Sequence, residues 1–313
     1  MPDWKVIITD GLEEEGQAIL RGAAHVDDRS GIPTEELLQV VGEYDALIVR
    51  SRTKVNAGVF DAARRLKAVG RAGVGVDNID LAAATSHGVT VVNAPTSTSL
   101  AVAELTLALM LALARSIPRA DAGMKTGQWL KKELLGVELN GKVLGVVGMG
   151  NIGKCVGQRA AAFGMTVLGC DPLLSEEEIS RRGGQPVSLA ELYGYSDFIS
   201  LHVPFSQETR GMVGGQALAQ MKRGVRLICT ARGGVIDETA LLGALESGQV
   251  AGAALDVFAQ EPPGLTALVA HPNVIATPHI GAQTEEAQAR AAVDIATEVI
   301  AALRNEPLRW VVV

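Results

Sequence analysis

Between Lys142 and Asp171 this chain carries a pattern that leaves few folds open. Val143 to Val147 (VLGVV) is a short, wholly apolar run, as expected of a strand buried on both faces. It leads straight into Gly148-Met149-Gly150-Asn151-Ile152-Gly153, a G-x-G-x-x-G match. Cys155 to Phe163 has helical composition and stops at Gly164. A second apolar run, Thr166 to Gly169, reaches Asp171, 21 residues past Gly150 (171 − 150). The first glycine permits a tight turn, the second lets backbone approach a pyrophosphate, and the third lets helix pack on strand. The helix N-terminus then offers N–H groups and partial positive charge to phosphate. An acid at Asp171 is placed to accept hydrogen bonds from adenosine ribose hydroxyls.

A glycine turn alone is weak evidence. Strand, glycines, helix, strand and acid in this order within about 30 residues point to dinucleotide binding. The acid also selects the cofactor. A carboxylate repels a 2′-phosphate, and Pro172, Leu173 and Leu174 bring no arginine to attract one, so the expectation is NAD rather than NADP.

The 313 residues suffice for two well-filled domains. Aromatics make up only 4 % against 48 % hydrophobic residues, so the cores must be built from Ala, Val, Leu and Ile. A net charge of −7 argues against nucleic acid or an anionic membrane as partner. Cys155, Cys170 and Cys229 lack metal-ligand spacing, which suggests a reducing cytoplasm and no metal site. The start, Met1-Pro2-Asp3-Trp4-Lys5, does not read as a signal peptide. Leu100 to Ala114, the most apolar helix, is 15 residues long and contains Glu104, too short and too charged to span a bilayer.

The rest of the chain alternates strands and helices, which implies parallel sheets covered on both faces. Early strands are expected at Val6 to Thr9, Ala46 to Val49, Lys67 to Val69 and Val89 to Val92, with helices at Glu13 to Arg21, Thr34 to Val41 and Phe60 to Arg64. Later strands are expected at Phe198 to Val203, Val225 to Thr230, Ala251 to Leu255 and Val274 to Ala276. The last helix, Glu285 to Leu303, has no strand of its own left to pack beside and should return to complete the first domain. The Leu100 helix is apolar nearly all round, so a core position and a subunit interface are both open, with Met124 to Leu135 in the same contact.

Three strand ends deliver Arg232, Asp256, Glu261 and His279 to one sheet edge. Hydride transfer to a 2-keto acid needs a cation for the carboxylate, a proton donor for the carbonyl oxygen, and a group that keeps the donor protonated. Arg232 suits the first, His279 the second and Glu261 the third. Each has a plainer alternative as a surface or loop residue. As a set beside a dinucleotide fold, the catalytic reading is preferred.

These segments together resemble the D-isomer-specific 2-hydroxyacid dehydrogenases, their phosphoglycerate-oxidising branch most closely. The residues that carry the likeness are VRSRTKV (Val49 to Val55), GRAGVGVDNID (Gly70 to Asp80), GMGNIG, ARGGVIDE (Ala231 to Glu238), ALDVF (Ala254 to Phe258), QEPP (Gln260 to Pro263) and PHIGA (Pro278 to Ala282). The resemblance implies two doubly wound parallel-sheet α/β domains. A Rossmann NAD-binding domain (96–282) would be inserted into a flavodoxin-like substrate-binding domain (1–95 and 283–313). It implies Arg232, Glu261 and His279 as the catalytic set and Asp256 near the nicotinamide. NAD contacts are expected from Gly148, Gly150, Asn151, Ile152, Gly153, Asp171 and Thr230. Val74, His202, Val203, Pro204, Ala231, Arg232, His279 and Gly281 complete that set. A small 2-hydroxy or 2-keto acid is expected among Arg50, Ser51, Arg52, Arg71, Val74, Gly75, Asn78, Arg232 and His279. From their strand-end positions Arg50 and Arg71 are expected to receive a phosphate, with Lys131 of the second subunit assisting, while Arg52 in the same turn is open to either the ligand or solvent. The resemblance also implies a homodimer built through the NAD-binding domains.

Two departures weaken the phosphoglycerate assignment. Thr98 stands where many such enzymes have a substrate-facing Asn, and Lys131 where they have an Arg. A reductase of glyoxylate or hydroxypyruvate is the alternative, and a dinucleotide-sensing corepressor the rival of another class. The sequence ends on Trp310 and three valines, so no C-terminal regulatory extension and no serine feedback through one are expected.

Overall fold

The computed structural model describes residues 4–313; Met1, Pro2 and Asp3, part of the leader expectation, lie outside them. The chain divides into two compact units, Met1–Ser99 with Ala282–Val313, and Leu100–Gly281. The first break falls at 99/100 rather than 95/96, and the reason is local. Ser97 Oγ donates to Asp294 Oδ2 at 2.5 Å and Arg290 Nε donates to the Ser97 carbonyl at 3.0 Å. Those bonds tie the connecting segment to the last helix.

In chain order the first unit contains β1 (Lys5–Ile8), α1 (Glu14–Arg21), β2 (His25–Asp28), α2 (Thr34–Val40), β3 (Ala46–Val49), α3 (Ala57–Ala62), β4 (Ala68–Arg71), α4 (Leu81–Ser86) and β5 (Thr90–Asn93). All five strands are parallel, in the order β2-β1-β3-β4-β5, the flavodoxin-like arrangement. β1, β3 and β4 are buried along almost their whole length, which their unbroken apolar sequences require. β2 (HVDD) and α4 are elements that apolar periodicity does not reveal. β2 is a half-exposed edge strand, and α4 starts from an Asp80 cap that accepts from Ala83 N.

The second unit holds α5 (Ser99–Arg115), whose first residue closes the first unit, then α6 (Ile117–Lys125), β6 (Val143–Val147), α7 (Asn151–Ala162) and β7 (Thr166–Cys170). It continues with α8 (Glu176–Arg181), β8 (Gln185–Pro186), α9 (Leu189–Tyr195), β9 (Phe198–Leu201), α10 (Gly215–Gln220), β10 (Val225–Cys229), α11 (Glu238–Glu246), β11 (Val250–Leu255) and β12 (Val274–Ala276). Seven parallel strands run β12-β11-β10-β9-β6-β7-β8. Strand order reverses between β6 and β9, and ligands of open parallel sheets bind at such a switch point, beyond the carboxyl ends of the strands. In α5, Ala103, Leu107, Met110 and Ala114 share a core with Leu144, Val146 and Phe198, so that face of the helix is core of its own unit.

The final helix, α12 (Glu285–Arg304), returns to the first unit as its apolar face demands. Ala292, Ile295, Ala296 and Val299 enter the core beside Val6, Ile48 and Ala68. Gly16 makes the α1–α12 crossing possible, since a Cβ there would lie 2.5 Å from the Ala292 carbonyl oxygen. Buried Glu298 then gathers the chain end, accepting from Arg309 N, Arg309 Nε and Trp310 N. The fold is the pair of doubly wound parallel-sheet units expected from the sequence.

Candidate active site

β6 and α7 build the nucleotide end. Gly148 has φ +90, and a Cβ there would meet the His202 carbonyl oxygen at 2.7 Å, so the loop after β9 rests directly on the glycine turn. At Gly153 a Cβ would meet the Gly148 oxygen at 2.0 Å. Gly150 differs: nothing lies within 4 Å of its Cβ position. The middle glycine therefore faces open space at the start of α7, and no side chain caps that helix. This is the surface a pyrophosphate needs, and the residues fit NAD. α7 begins at Asn151 rather than Cys155, so the expected Asn151 and Ile152 contacts belong to its first turn.

Asp171 closes this end. Its Oδ2 accepts from Met149 N at 2.9 Å and its Oδ1 from Leu173 N at 3.0 Å. The acid thus holds the glycine turn in shape. His202 contributes differently from its expected role. Its Nε2 meets Ser200 Oγ at 2.7 Å, its Nδ1 is buried without a hydrogen-bond partner, and burial lowers its pKa to about 3. The ring is a neutral, half-buried support, and Val203 and Pro204 continue the loop over Gly148. Thr230 turns its hydroxyl to Thr106 Oγ1 at 2.9 Å, inside the unit, so its backbone is what remains for a cofactor.

The residues expected to be catalytic lie beyond β10, β11 and β12, which are neighbours in the sheet. His279 Nδ1 lies 2.7 Å from Glu261 Oε2, and Glu261 Oε1 accepts from Phe258 N at 3.1 Å. The ring and the carboxylate are partly exposed, at 45 % and 36 %, so both are accessible to a ligand. Arg232 follows β10, its Nη1 donating to the Ala231 carbonyl at 2.7 Å. Cys229 is buried below that turn, its Sγ 3.8 Å from the Arg232 oxygen, and burial pushes its thiol up to about 11.

Asp256, expected near the nicotinamide, is bonded within its own unit. It is 1 % exposed, and its oxygens accept from Thr277 Oγ1 (2.6 Å), Ile280 N (2.9 Å) and Gly281 N (2.8 Å). The carboxylate is fully engaged in shaping the turn that carries His279. Gly281 is part of the same brace, with space for a Cβ only 3.2 Å from Asp256 Oδ2.

In the first unit, Arg50 and Arg71 stand at the carboxyl ends of adjacent strands, with Val49 and Arg71 in register. Asp10, which sequence reasoning missed, organises this edge: it accepts from Arg50 N (2.8 Å), Thr53 N (3.0 Å) and Thr53 Oγ1 (2.5 Å). Arg50 pairs with Glu13 at 3.2 Å. The Arg52 guanidinium binds the Thr9 and Ile32 carbonyls and pairs with Asp10. Asn78 is buried and donates to the Arg50 and Thr53 carbonyls at 2.9 and 2.7 Å, bracing the turn. Ser51 is exposed, and Arg71 folds over Gly73, beside Val74 and Gly75. Val74 is fixed through its carbonyl by Asn93 Nδ2 at 2.7 Å. Thr98 is buried at 4 % exposure and Lys131 is exposed.

Comparison with known proteins matches residues 107–281 to the NAD binding domain of D-isomer specific 2-hydroxyacid dehydrogenases. The D-3-phosphoglycerate dehydrogenase of Rattus norvegicus is 48% identical over 309 residues, covering 98% of this chain and 58% of that protein. The chain therefore spans less than two thirds of that relative's length. Among solved structures, a glyoxylate reductase from Paecilomyes thermophila superposes with a TM-score of 0.91 at 31% identity, covering 100% of this chain and 99% of its own. The TT0316 protein from Thermus thermophilus gives 0.89 at 37% identity, covering 99% and 100%.

Proposed function

Because this chain belongs to the D-isomer specific 2-hydroxyacid dehydrogenase family, we propose that it oxidises a D-2-hydroxy acid to the 2-keto acid with NAD, and that the acid is D-3-phosphoglycerate. The observation that carries the chemistry is the 2.7 Å pairing of His279 Nδ1 with Glu261. An ionised carboxylate only accepts, so Nδ1 carries the proton and Nε2 is left bare to take one from a substrate hydroxyl. Glu261 then stabilises the doubly protonated ring, as a neighbouring carboxylate does for any imidazolium. Arg232 receives the substrate carboxylate through its guanidinium fork. Bound NAD supplies the hydride acceptor. In the reverse direction the protonated ring returns its proton to the keto oxygen.

The phosphorylated substrate is supported by the arginine pair at the β3 and β4 ends and by likeness to the rat phosphoglycerate dehydrogenase. One observation favours the second reading, reduction of glyoxylate or hydroxypyruvate: Arg50 is already paired with Glu13 and Arg52 is bonded to backbone. NADH oxidation with 3-phosphohydroxypyruvate, hydroxypyruvate and glyoxylate separates them. The phosphorylated acid should show the highest kcat/KM; a preference for either plain acid overturns the substrate, and no turnover of any overturns the dehydrogenase reading.

Ile117, Met124, Trp129 and Leu135 are exposed at 52 to 96 %, an apolar run that suits a homodimer through the second unit, with Lys131 within it. Among the described residues no single helix is long and apolar enough to cross a membrane. Net charge −7 and three free cysteines support a cytoplasmic enzyme acting on a small acid rather than on nucleic acid.

A further inference from the structure

We propose that Glu238 is a positioning residue for the Glu261–His279 pair, holding from outside the loop that presents Glu261. The inference rests on the acid–base reading above. After β11 the chain runs through Val257 and Phe258 to Glu261 and must deliver a carboxylate to His279. Glu261 is fastened to its own loop, since its Oε1 accepts from Phe258 N. Any rotation of the Phe258–Ala259 backbone is therefore passed to the carboxylate.

Two contacts stop that rotation, one from the turn that carries Arg232 and one from the start of α11, which follows it. At Gly233 a Cβ would lie 1.8 Å from the Phe258 oxygen and 2.1 Å from its carbonyl carbon, so the two backbones touch. Glu238 Oε1 accepts from Ala259 N at 2.7 Å. Successive N–H groups, Phe258 and Ala259, are thus held by two carboxylates, one within the loop and one outside it. Ala259 is exposed, so packing supplies little restraint of its own. Glu238 is not needed to cap α11, because Asp237 already accepts from Thr239 N and Ala240 N. Its carboxylate instead joins the first turn of α11 to the Glu261 loop. A displacement of about 1 Å in a reacting group can cost up to 10²-fold in rate, and the Glu238 bond, beside the Gly233 contact, guards against it.

The test compares Glu238→Ala with Glu238→Gln, which keeps an acceptor oxygen. Glu238→Ala should lower kcat roughly 5- to 20-fold with KM and NAD affinity within about 2-fold, and Glu238→Gln should recover most of it. In a Glu261→Gln background, Glu238→Ala should cost little more, since coupled residues are non-additive. Unchanged kcat in Glu238→Ala, no recovery by Gln, or a full additive loss in the Glu261→Gln background overturns the proposal. Should the alanine variant not fold, Glu238→Met, of similar length without an acceptor, takes its place. His279→Ala run alongside separates the two levels: retained turnover there defeats the acid–base reading, whereas loss there with no effect at Glu238 defeats only the strut.

Discussion

Asp256 holds His279 in place without bonding to its ring. Its carboxylate accepts the two N–H groups that follow His279, those of Ile280 at 2.9 Å and Gly281 at 2.8 Å. His279 itself has φ +53, a left-handed conformation that costs a residue with a Cβ about 1–2 kcal/mol. Thr277 Oγ1 adds a third bond from the other side of the turn. Asp256→Asn removes acceptor capacity, because an amide nitrogen facing an N–H can only repel it. This variant should lose about 1–3 kcal/mol of stability and about 10²-fold in kcat, while NAD still binds. Unfolding curves and NAD titration check both; full turnover would mean that the turn holds itself.

His279→Ala should reduce kcat by roughly 10²–10⁴-fold with NAD affinity little changed. Glu261→Gln should lower kcat less, by roughly 10-fold, because a neutral amide no longer offsets the positive charge the ring gains when it takes the substrate proton. Turnover of both variants beside the unaltered protein decides it, and an unchanged kcat in Glu261→Gln would leave Glu261 a loop anchor through Phe258 N alone.

At the nucleotide end, Asp171→Ser removes both the repulsion of a 2′-phosphate and the acceptor for Met149 N. Relative affinity for NADP over NAD should rise, while NAD affinity itself falls by about 1–2 kcal/mol. Fluorescence titration of each cofactor against the unaltered protein gives the ratio. An unchanged ratio would remove Asp171 from cofactor choice.

His202 makes a stability prediction with a definite sign. Its folded pKa is near 3 through burial, against about 6.5 unfolded. Between those values the unfolded chain takes up a proton that the folded chain refuses. The contribution is therefore complete above about pH 6.5 and is lost progressively as pH falls toward 3. His202→Gln keeps a partner for Ser200 and cannot titrate, so its urea midpoint should fall less than that of the unaltered protein between about pH 7 and 5. Parallel declines would show that other groups carry the acid sensitivity.

Much of this architecture is legible because apolar strands and glycine turns leave local marks. β3 and β12 fall on the expected residues, and the last helix rejoins the first unit because its apolar face has no other partner. β2 and β8 leave no such mark: HVDD is polar and half exposed, and Gln185–Pro186 is two residues at a sheet edge. α7 starts at Asn151, ahead of the stretch whose composition is helical, since glycine and asparagine are poor helix formers and packing at Gly153 overrides them. At the site, the titratable residues can be named from strand ends, but not their supports. Asp256 meets Gly281 across 25 residues and Asp10 meets Thr53 across 43. Bonds between distant loops impose no periodicity, so a buried acid in ALDVF and an acid after β1 look like any turn residue.

The choice of acid turns on Arg50, and Arg50 is bonded to Glu13 at 3.2 Å. The order of strands in the first unit reverses between β1 and β3, so the switch point lies between Asp10 and Arg50, where a ligand of such a sheet belongs. A phosphate there must win the guanidinium from Glu13, and a dianion offers a stronger charge-assisted bond than one half-exposed carboxylate. Arg50→Ala should then raise KM for 3-phosphohydroxypyruvate by about 1.5–3 kcal/mol more than KM for hydroxypyruvate. Glu13→Gln removes the competitor and should lower KM for the phosphorylated acid alone. The two variants thus move one substrate in opposite directions and leave the other in place. Equal changes on both substrates would make Arg50 and Glu13 a pair that fixes α1 to the β3 turn, and the plain acid would become the better candidate.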